Sequence, residues 1–82
     1  MKLPRDISGD QLARFLRKYG YEPTRQTGSH MRLTSHLRGR PHHITIPRHR
    51  TLDPGTLAAI LRDVADYLGL DRQALYRELA GR

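Results

Sequence analysis

The chain has 82 residues, no cysteine, and 15 Lys and Arg against 8 Asp and Glu, for a formal net charge of +7. That length predicts one small domain over residues 1–82, with a shallow cleft or an exposed face as its site, because so small a core encloses no large cavity. Without cysteine there is no disulfide framework, no thiolate zinc site and no cysteine nucleophile, and no apolar run approaches the length of a membrane span. The stretch MKLPRDISGD also lacks the apolar centre of a secretory signal. A cytoplasmic protein that makes no membrane contact is the expectation.

Ser8 followed by Gln11 fits a capping box, and Asp10 suits the first turn of a helix. Leu12, Phe15, Leu16 and Tyr19 then recur at the spacing of one apolar helix face, predicting a first helix from about Ser8 to Tyr19 that Gly20 ends. The period changes in YEPTRQT, which reads as extended, with Pro23 restricting it to an edge strand. After a turn at Gly28 and Ser29, HMRLTS alternates: Met31 and Leu33 point one way, His30, Arg32 and Thr34 the other. The tetrapeptide GSHM matches what tag cleavage leaves at the head of engineered chains. Here it lies mid-chain between two organised segments and belongs to the protein.

HLRGRP predicts a hairpin loop through Gly39 and Pro41. HHITIP alternates again, with Ile44 and Ile46 toward the core and His43 and Thr45 opposite. Asp53 and Pro54 open a second helix as N-cap and first residue, and Leu57, Ile60, Leu61, Val64 and Leu68 form its buried stripe. Asp71 caps a short third helix in which Leu75 and Leu79 face inward with Leu70, and Tyr67 and Tyr76 are expected as core or helix-packing residues. The fold class that follows is α+β, in the order α-β-β-β-α with a short C-terminal helix. One face of a three-stranded antiparallel sheet is covered by the first two helices. The other face carries His30, Arg32, Thr34, His43 and Thr45, and function is expected there.

Charge is uneven along these elements. Between Glu22 and Asp53 there is no acidic residue, yet the window holds Arg25, Arg32, Arg38, Arg40, Arg48, Arg50 and all five histidines. Outside it, nine basic residues face eight acidic ones. A stripe of this kind is the footprint of a polyanion partner, nucleic acid first.

His30 follows TGS directly. A glycine at position 28 lets another backbone come close, Ser29 has a hydroxyl to offer a phosphate, and imidazole both takes and gives protons near neutral pH. His43 shares the face one strand away, as the second half of an acid/base pair or as a phosphate-facing side chain. His42 has core-side parity at a strand start and is expected half-exposed, His36 lies in the hairpin loop, and His49, between Arg48 and Arg50, lines the edge of a phosphate site. Five histidines also raise a metal site, but the window offers no carboxylate and its arginines repel a divalent cation, so no metal is expected. Serine-hydrolase, NTPase and glycosidase readings have no motif to stand on.

The run GYEPTRQTGSHMRLT, then ITIPRH, then LDPGTLAAILRD resembles the HicA toxins of bacterial HicA–HicB toxin–antitoxin modules. Members of that family carry a helix ending in a glycine and an aromatic, GSH at the head of a strand, a strand ending in Pro-x-His, and a helix opening on GTL. The similarity spans roughly Ser8 to Val64. It implies a double-stranded-RNA-binding-domain-like fold and a metal-independent endoribonuclease, an mRNA interferase, that a HicB-type antitoxin neutralises. It further implies His30 as the catalytic histidine, with Gly28 as the glycine before it. Its partners would be mRNA, single-stranded or on the ribosome, and the antitoxin, with no small-molecule cofactor.

In the mechanism expected from these residues, His30 takes the proton of a ribose 2′-hydroxyl, which attacks the adjacent phosphorus. Arg32, with Arg25 and Arg48 nearby, stabilises the phosphoryl charge, and His43 or His49 protonates the leaving oxygen. Two alternatives stand beside it. One is a non-catalytic RNA-binding module acting through the Arg-rich face. The other is DNA binding through the second helix, which the mixed charges of Arg62, Asp63 and Asp66 disfavour. The tail GLDRQALYRELAGR runs past the length common in the family and is expected either to finish the core or to widen the antitoxin interface.

Overall fold

The structure, a computed structural model, describes residues 3–82; Met1 and Lys2, the start of the N-terminal stretch read above, lie outside the described residues. The order is α1 (Gly9–Leu16), a 3₁₀ turn (Arg17–Tyr19), β1 (Glu22–Thr27), β2 (His30–Ser35), β3 (His42–Pro47), α2 (Pro54–Leu68) and α3 (Arg72–Ala80). The class is the α+β arrangement that the periodicities predict.

α1 opens on the reciprocal box. The Ser8 hydroxyl accepts from the Gln11 amide at 3.0 Å, and the Gln11 side chain accepts from the Ser8 amide at 2.9 Å, so two of the helix's orphan donors are satisfied. The helix does not reach Tyr19 as expected. Its last turn tightens into the 3₁₀ form and closes on Gly20 at φ 82°, a conformation costly for any residue with a Cβ. The Tyr21 amide then bonds back to the Leu16 carbonyl at 3.2 Å, and the Tyr21 ring, fully buried, is delivered into the core.

The three strands pair in sequence order, both pairs antiparallel. In β2 and β3 the pairs Met31–Ile46 and Leu33–Ile44 are buried, whereas Arg32–Thr45 and Thr34–His43 lie on the opposite face. Both α1 and α2 pack on β3. β1 is exposed at all six residues and irregular between Pro23 and Arg25, where a bulge interrupts the ladder.

α1 meets the end of β3 backbone to backbone. Gly9 donates its amide to the His49 carbonyl at 3.0 Å, and a Cβ built on Gly9 would overlap the Pro47 carbonyl oxygen. Only glycine allows this approach, and it fixes the N-terminus of α1 beside the strand end that faces His30.

α2 starts as predicted, the Asp53 carboxylate accepting from Gly55 and Thr56 amides at 3.0 and 3.3 Å, and buries Leu57, Ile60, Leu61, Val64, Ala65, Tyr67 and Leu68. Asp71 caps α3 through the Ala74 amide at 3.1 Å, and Leu75, Tyr76 and Leu79 are buried. Leu70, expected to face inward with them, is instead 41% exposed. Gly69 adopts φ 70° and the Leu70 amide folds back onto the Ala65 carbonyl at 2.9 Å, which carries the Leu70 side chain to the outside of the turn. A surface contact ties α3 to the 3₁₀ turn: Glu78 accepts from Lys18 at 2.7 Å and from the Tyr19 hydroxyl at 2.9 Å. Burial, reinforced by the hydrogen bond to Glu78, pushes the Tyr19 hydroxyl up to about 12, and the bonds from Lys18 and Tyr19 hold the Glu78 carboxyl low.

The C-terminal helix therefore completes the core. Leu79→Ala is expected to cost about 2–5 kcal/mol in chemical denaturation, whereas Leu70→Ala should change stability by less than about 0.5 kcal/mol.

Candidate nucleic-acid interface

The acid-free window corresponds to the sheet and its loops. The carboxylate side chains sit elsewhere: Asp6 ahead of α1, Asp10 on it, Asp63 and Asp66 on α2, Glu78 on α3, Asp53 and Asp71 at caps, with Glu22 at the head of β1. Charge is thus segregated by layer, a basic sheet against mixed helices.

His30 is the first residue of β2, delivered by the two-residue turn Gly28–Ser29 that joins Thr27 to His30. Gly28 has φ 53°, the left-handed value that a tight hairpin needs at its first turn position. Nothing lies within 4 Å of where its Cβ would be, so the backbone here is open to an incoming group. The conformational demand is thus visible in the fold itself, in addition to the close approach expected from sequence. The His30 side chain is exposed, with Thr27 and Pro47 as its direct cross-strand neighbours. Ser29 is exposed as well, and its carbonyl accepts from the Arg48 amide at 2.6 Å, which pins the end of β3 to the turn.

The next outward row toward the hairpin is Arg25, Arg32 and Thr45. Two arginines directly opposite one another in an antiparallel pair repel. Neither has a carboxylate partner among the described residues. A cross-strand pair of unneutralised guanidinium groups beside an exposed imidazole is an arrangement that an anion relieves.

Arg48 differs from this pair. Its guanidinium is held by the Asp10 carboxylate through bonds of 3.1 and 3.3 Å, so the phosphate contact expected of it competes with an existing ion pair. His49 is exposed just past Pro47, the residue opposite His30, and remains at that end of the face.

His43 does not stand beside His30. The register pairs His43 with Thr34 and His30 with Pro47. That offset of four positions along β2 amounts to roughly 13 Å at about 3.3 Å per residue. A direct acid/base pair between the two imidazoles, read from shared parity alone, is therefore excluded by register. Thr34 points outward as expected but is only 4% exposed, because the Thr24 hydroxyl and the His43 ring close over it at 3.0 and 2.7 Å.

Sequence reasoning missed a cluster at the hairpin end. The Tyr21 hydroxyl bonds His42 Nδ1 at 2.6 Å, and the His42 ring stacks on Tyr67 with centroids 4.7 Å apart and planes 12° from parallel. The Tyr67 hydroxyl accepts from the Arg38 amide at 2.9 Å and donates to the Arg40 carbonyl, anchoring the β2–β3 loop to α2. Aromatic residues at positions 21 and 67 were visible, but nothing in the spacing links them. Burial lowers the His42 pKa against an opposing pull from Asp63, and burial pushes the Tyr21 hydroxyl far up. His36 is exposed in the loop with no such role. Among the described residues no three His, Cys, Asp or Glu side chains are grouped to hold a metal ion, and no helix is long and apolar enough to cross a membrane.

The molecule is thus a small α+β domain with a histidine at the head of its central strand and an unneutralised arginine pair behind it. Residues 9–65 match the family described as HicA toxin of bacterial toxin–antitoxin. That is well over half of the chain, which belongs to this family and is accordingly the toxin of a toxin–antitoxin pair, with a cognate antitoxin as its partner. No curated protein and no solved structure matches it.

Two outcomes follow. Replacing Arg25 by Thr removes the cross-strand repulsion and should stabilise the free protein by about 0.2–1 kcal/mol at low salt, a gain that shrinks in 1 M salt as screening sets in; denaturant titration at both ionic strengths reads it. For His42, the folded-state value lies below the ordinary one near 6.5, so between the two the unfolded chain binds more protons. Its contribution is full above pH about 6.5 and is lost as pH falls toward the folded value. His42→Asn, which keeps an acceptor for Tyr21, should flatten the thermal stability profile across that window.

Proposed function

We propose that this protein is a metal-independent endoribonuclease that cleaves mRNA and is silenced by a HicB-type antitoxin. The observation that carries the reading is the exposed His30 on the same open face as the unneutralised Arg25–Arg32 pair. Family membership supports it, since it makes the chain a toxin with an antitoxin partner.

In the proposed reaction, neutral His30 accepts the proton of a ribose 2′-hydroxyl as that oxygen attacks the adjacent phosphorus. The bond to the 5′-oxygen breaks, leaving a 2′,3′-cyclic phosphate and a 5′-hydroxyl. Arg32, with Arg25 across the strand, balances the charge that grows on the phosphoryl oxygens. The Gly28–Ser29 turn leaves open space at the reacting end, and the Ser29 hydroxyl is available to a phosphate oxygen. His49 stands at this end of the face and is the imidazole to test as proton donor to the leaving oxygen. RNA is selected over DNA because only RNA carries the nucleophile.

Induced in cells without antitoxin, the wild type should arrest growth, and folded His30→Ala should not. In vitro the substitution should lower cleavage by about 10²- to 10⁴-fold, the worth of a positioned acid/base group, while RNA affinity changes little. Equal cleavage by folded His30→Ala would overturn the mechanism. RNA binding with no cleavage by the wild type would leave a non-catalytic module acting through its arginines, recognised by a steep loss of affinity with salt.

A further inference from the structure

The far end of the open sheet face holds three hydrogen-bonding contacts that only one arrangement of protons satisfies together. The Arg32 carbonyl can only accept, so the Thr24 hydroxyl, 3.3 Å away, donates to it. Thr24 then has its oxygen left to accept from Thr34 at 3.0 Å. Thr34 has one proton and has given it, so it accepts from His43 Nδ1 at 2.7 Å. In that arrangement the carbonyl at one end selects the tautomer of the imidazole at the other: Nδ1 carries the proton, and in the neutral ring Nε2 is left with a free lone pair. His43 is exposed, while Thr34 behind it is almost wholly covered. A lone pair on an exposed ring, oriented by a covered hydroxyl beneath it, is a built acceptor.

The charge along the face indicates what it accepts. The row beside His30 carries Arg25 and Arg32, whereas the row of His43 and Thr34 ends on Glu22. Phosphate is favoured at the first row; the second, whose Glu22 is paired with Arg17 at 3.7 Å, has no such excess of positive charge and suits a hydroxyl or amino donor. We propose that His43 is a specificity-determining residue of the RNA site: its Nε2 accepts a hydrogen bond from a 2′-hydroxyl or a base amino group of the bound strand. The contact lies roughly 13 Å from His30 along β2, the span of about four stacked nucleotides at 3.4 Å each. The proposal rests on RNA crossing this face, as the ribonuclease reading requires.

The test uses the full chain and a single-stranded RNA of about twelve nucleotides containing one cleavage site. His43→Ala should raise KM by about three- to tenfold, the worth of one hydrogen bond, with the change carried in KM and not in kcat. Thr34→Val keeps the imidazole but removes what orients it, and should give a smaller rise in KM. Imidazole ¹⁵N shifts should report the Nδ1–H tautomer in the wild type and its loss in Thr34→Val. Single 2′-deoxy substitutions walked along the RNA, and single abasic substitutions in a parallel set, separate the two donor sources. The one that matters should weaken the wild type as much as His43→Ala does and add nothing to that variant. An unchanged KM in His43→Ala, or additive effects at every position, overturns the proposal. The same comparisons read as Kd on a non-cleavable RNA decide it even where the wild type shows no cleavage, an outcome that would sink the ribonuclease reading alone.

Discussion

β2 is hydrogen-bonded along both edges, and its pleat sends Met31 and Leu33 into the core while His30 and Arg32 face solvent. A slip of one residue would exchange the two sets, burying a guanidinium and an imidazole and exposing the core of the sheet, so the register is held by the full cost of that exchange. Everything else adjusts to this strand. The Gly28–Ser29 turn fixes where it begins, and the Ser29–Arg48 bond holds β3 at its end. The contact of Gly9 with Pro47 and His49 brings α1 up to the same corner. The candidate site is therefore carried by the most constrained segment of the sheet although its side chains lie on the open face.

The basic sheet and the mixed helices divide the molecule's two tasks. Leu12, Leu16, Leu57, Leu61 and Val64 cover one face of the sheet and leave the arginines on the other without compensating carboxylates. Arg25 opposite Arg32 is a locally unfavourable pairing in the free chain, and such conflicts between local preference and fold tend to mark functional surface. The aromatic and histidine cluster at the opposite end of β2 has a different character, since its polar atoms are satisfied by one another and by the loop backbone. It serves to hold the hairpin on α2.

Much of this was legible in the sequence because it rests on local rules. Both helix caps at Ser8 and Asp53, the buried stripe of α2 and the alternation of HMRLTS and HHITIP depend on residues within a few positions of each other. What the sequence did not yield depends on the relation between distant segments. His30 and His43 share a parity that can be read, but their separation is set by a hairpin register that cannot. Leu70 follows the apolar pattern of its neighbours, and the left-handed turn at Gly69 moves it outside. Contacts such as Tyr21 with His42, Arg48 with Asp10 and Glu78 with Lys18 join residues far apart in the chain and leave no trace in spacing. For the site, the identity of His30 and Arg32 was visible, whereas the like-charge pairing of Arg32 with Arg25 needed the fold.

The exposed edge of β1 bears on how such a molecule behaves once separated from a protective partner. A sheet edge offers unpaired amide and carbonyl groups to any extended chain, including another copy of itself, and flat edges of this kind seed fibrous association. Here Pro23 withholds one amide, the bulge between Pro23 and Arg25 bends the strand out of plane, and Arg25 places a charge on it. These features deny a straight template to a second strand. The same irregular edge that looks like an imperfection in the ladder thus works against edge-to-edge association of a liberated toxin.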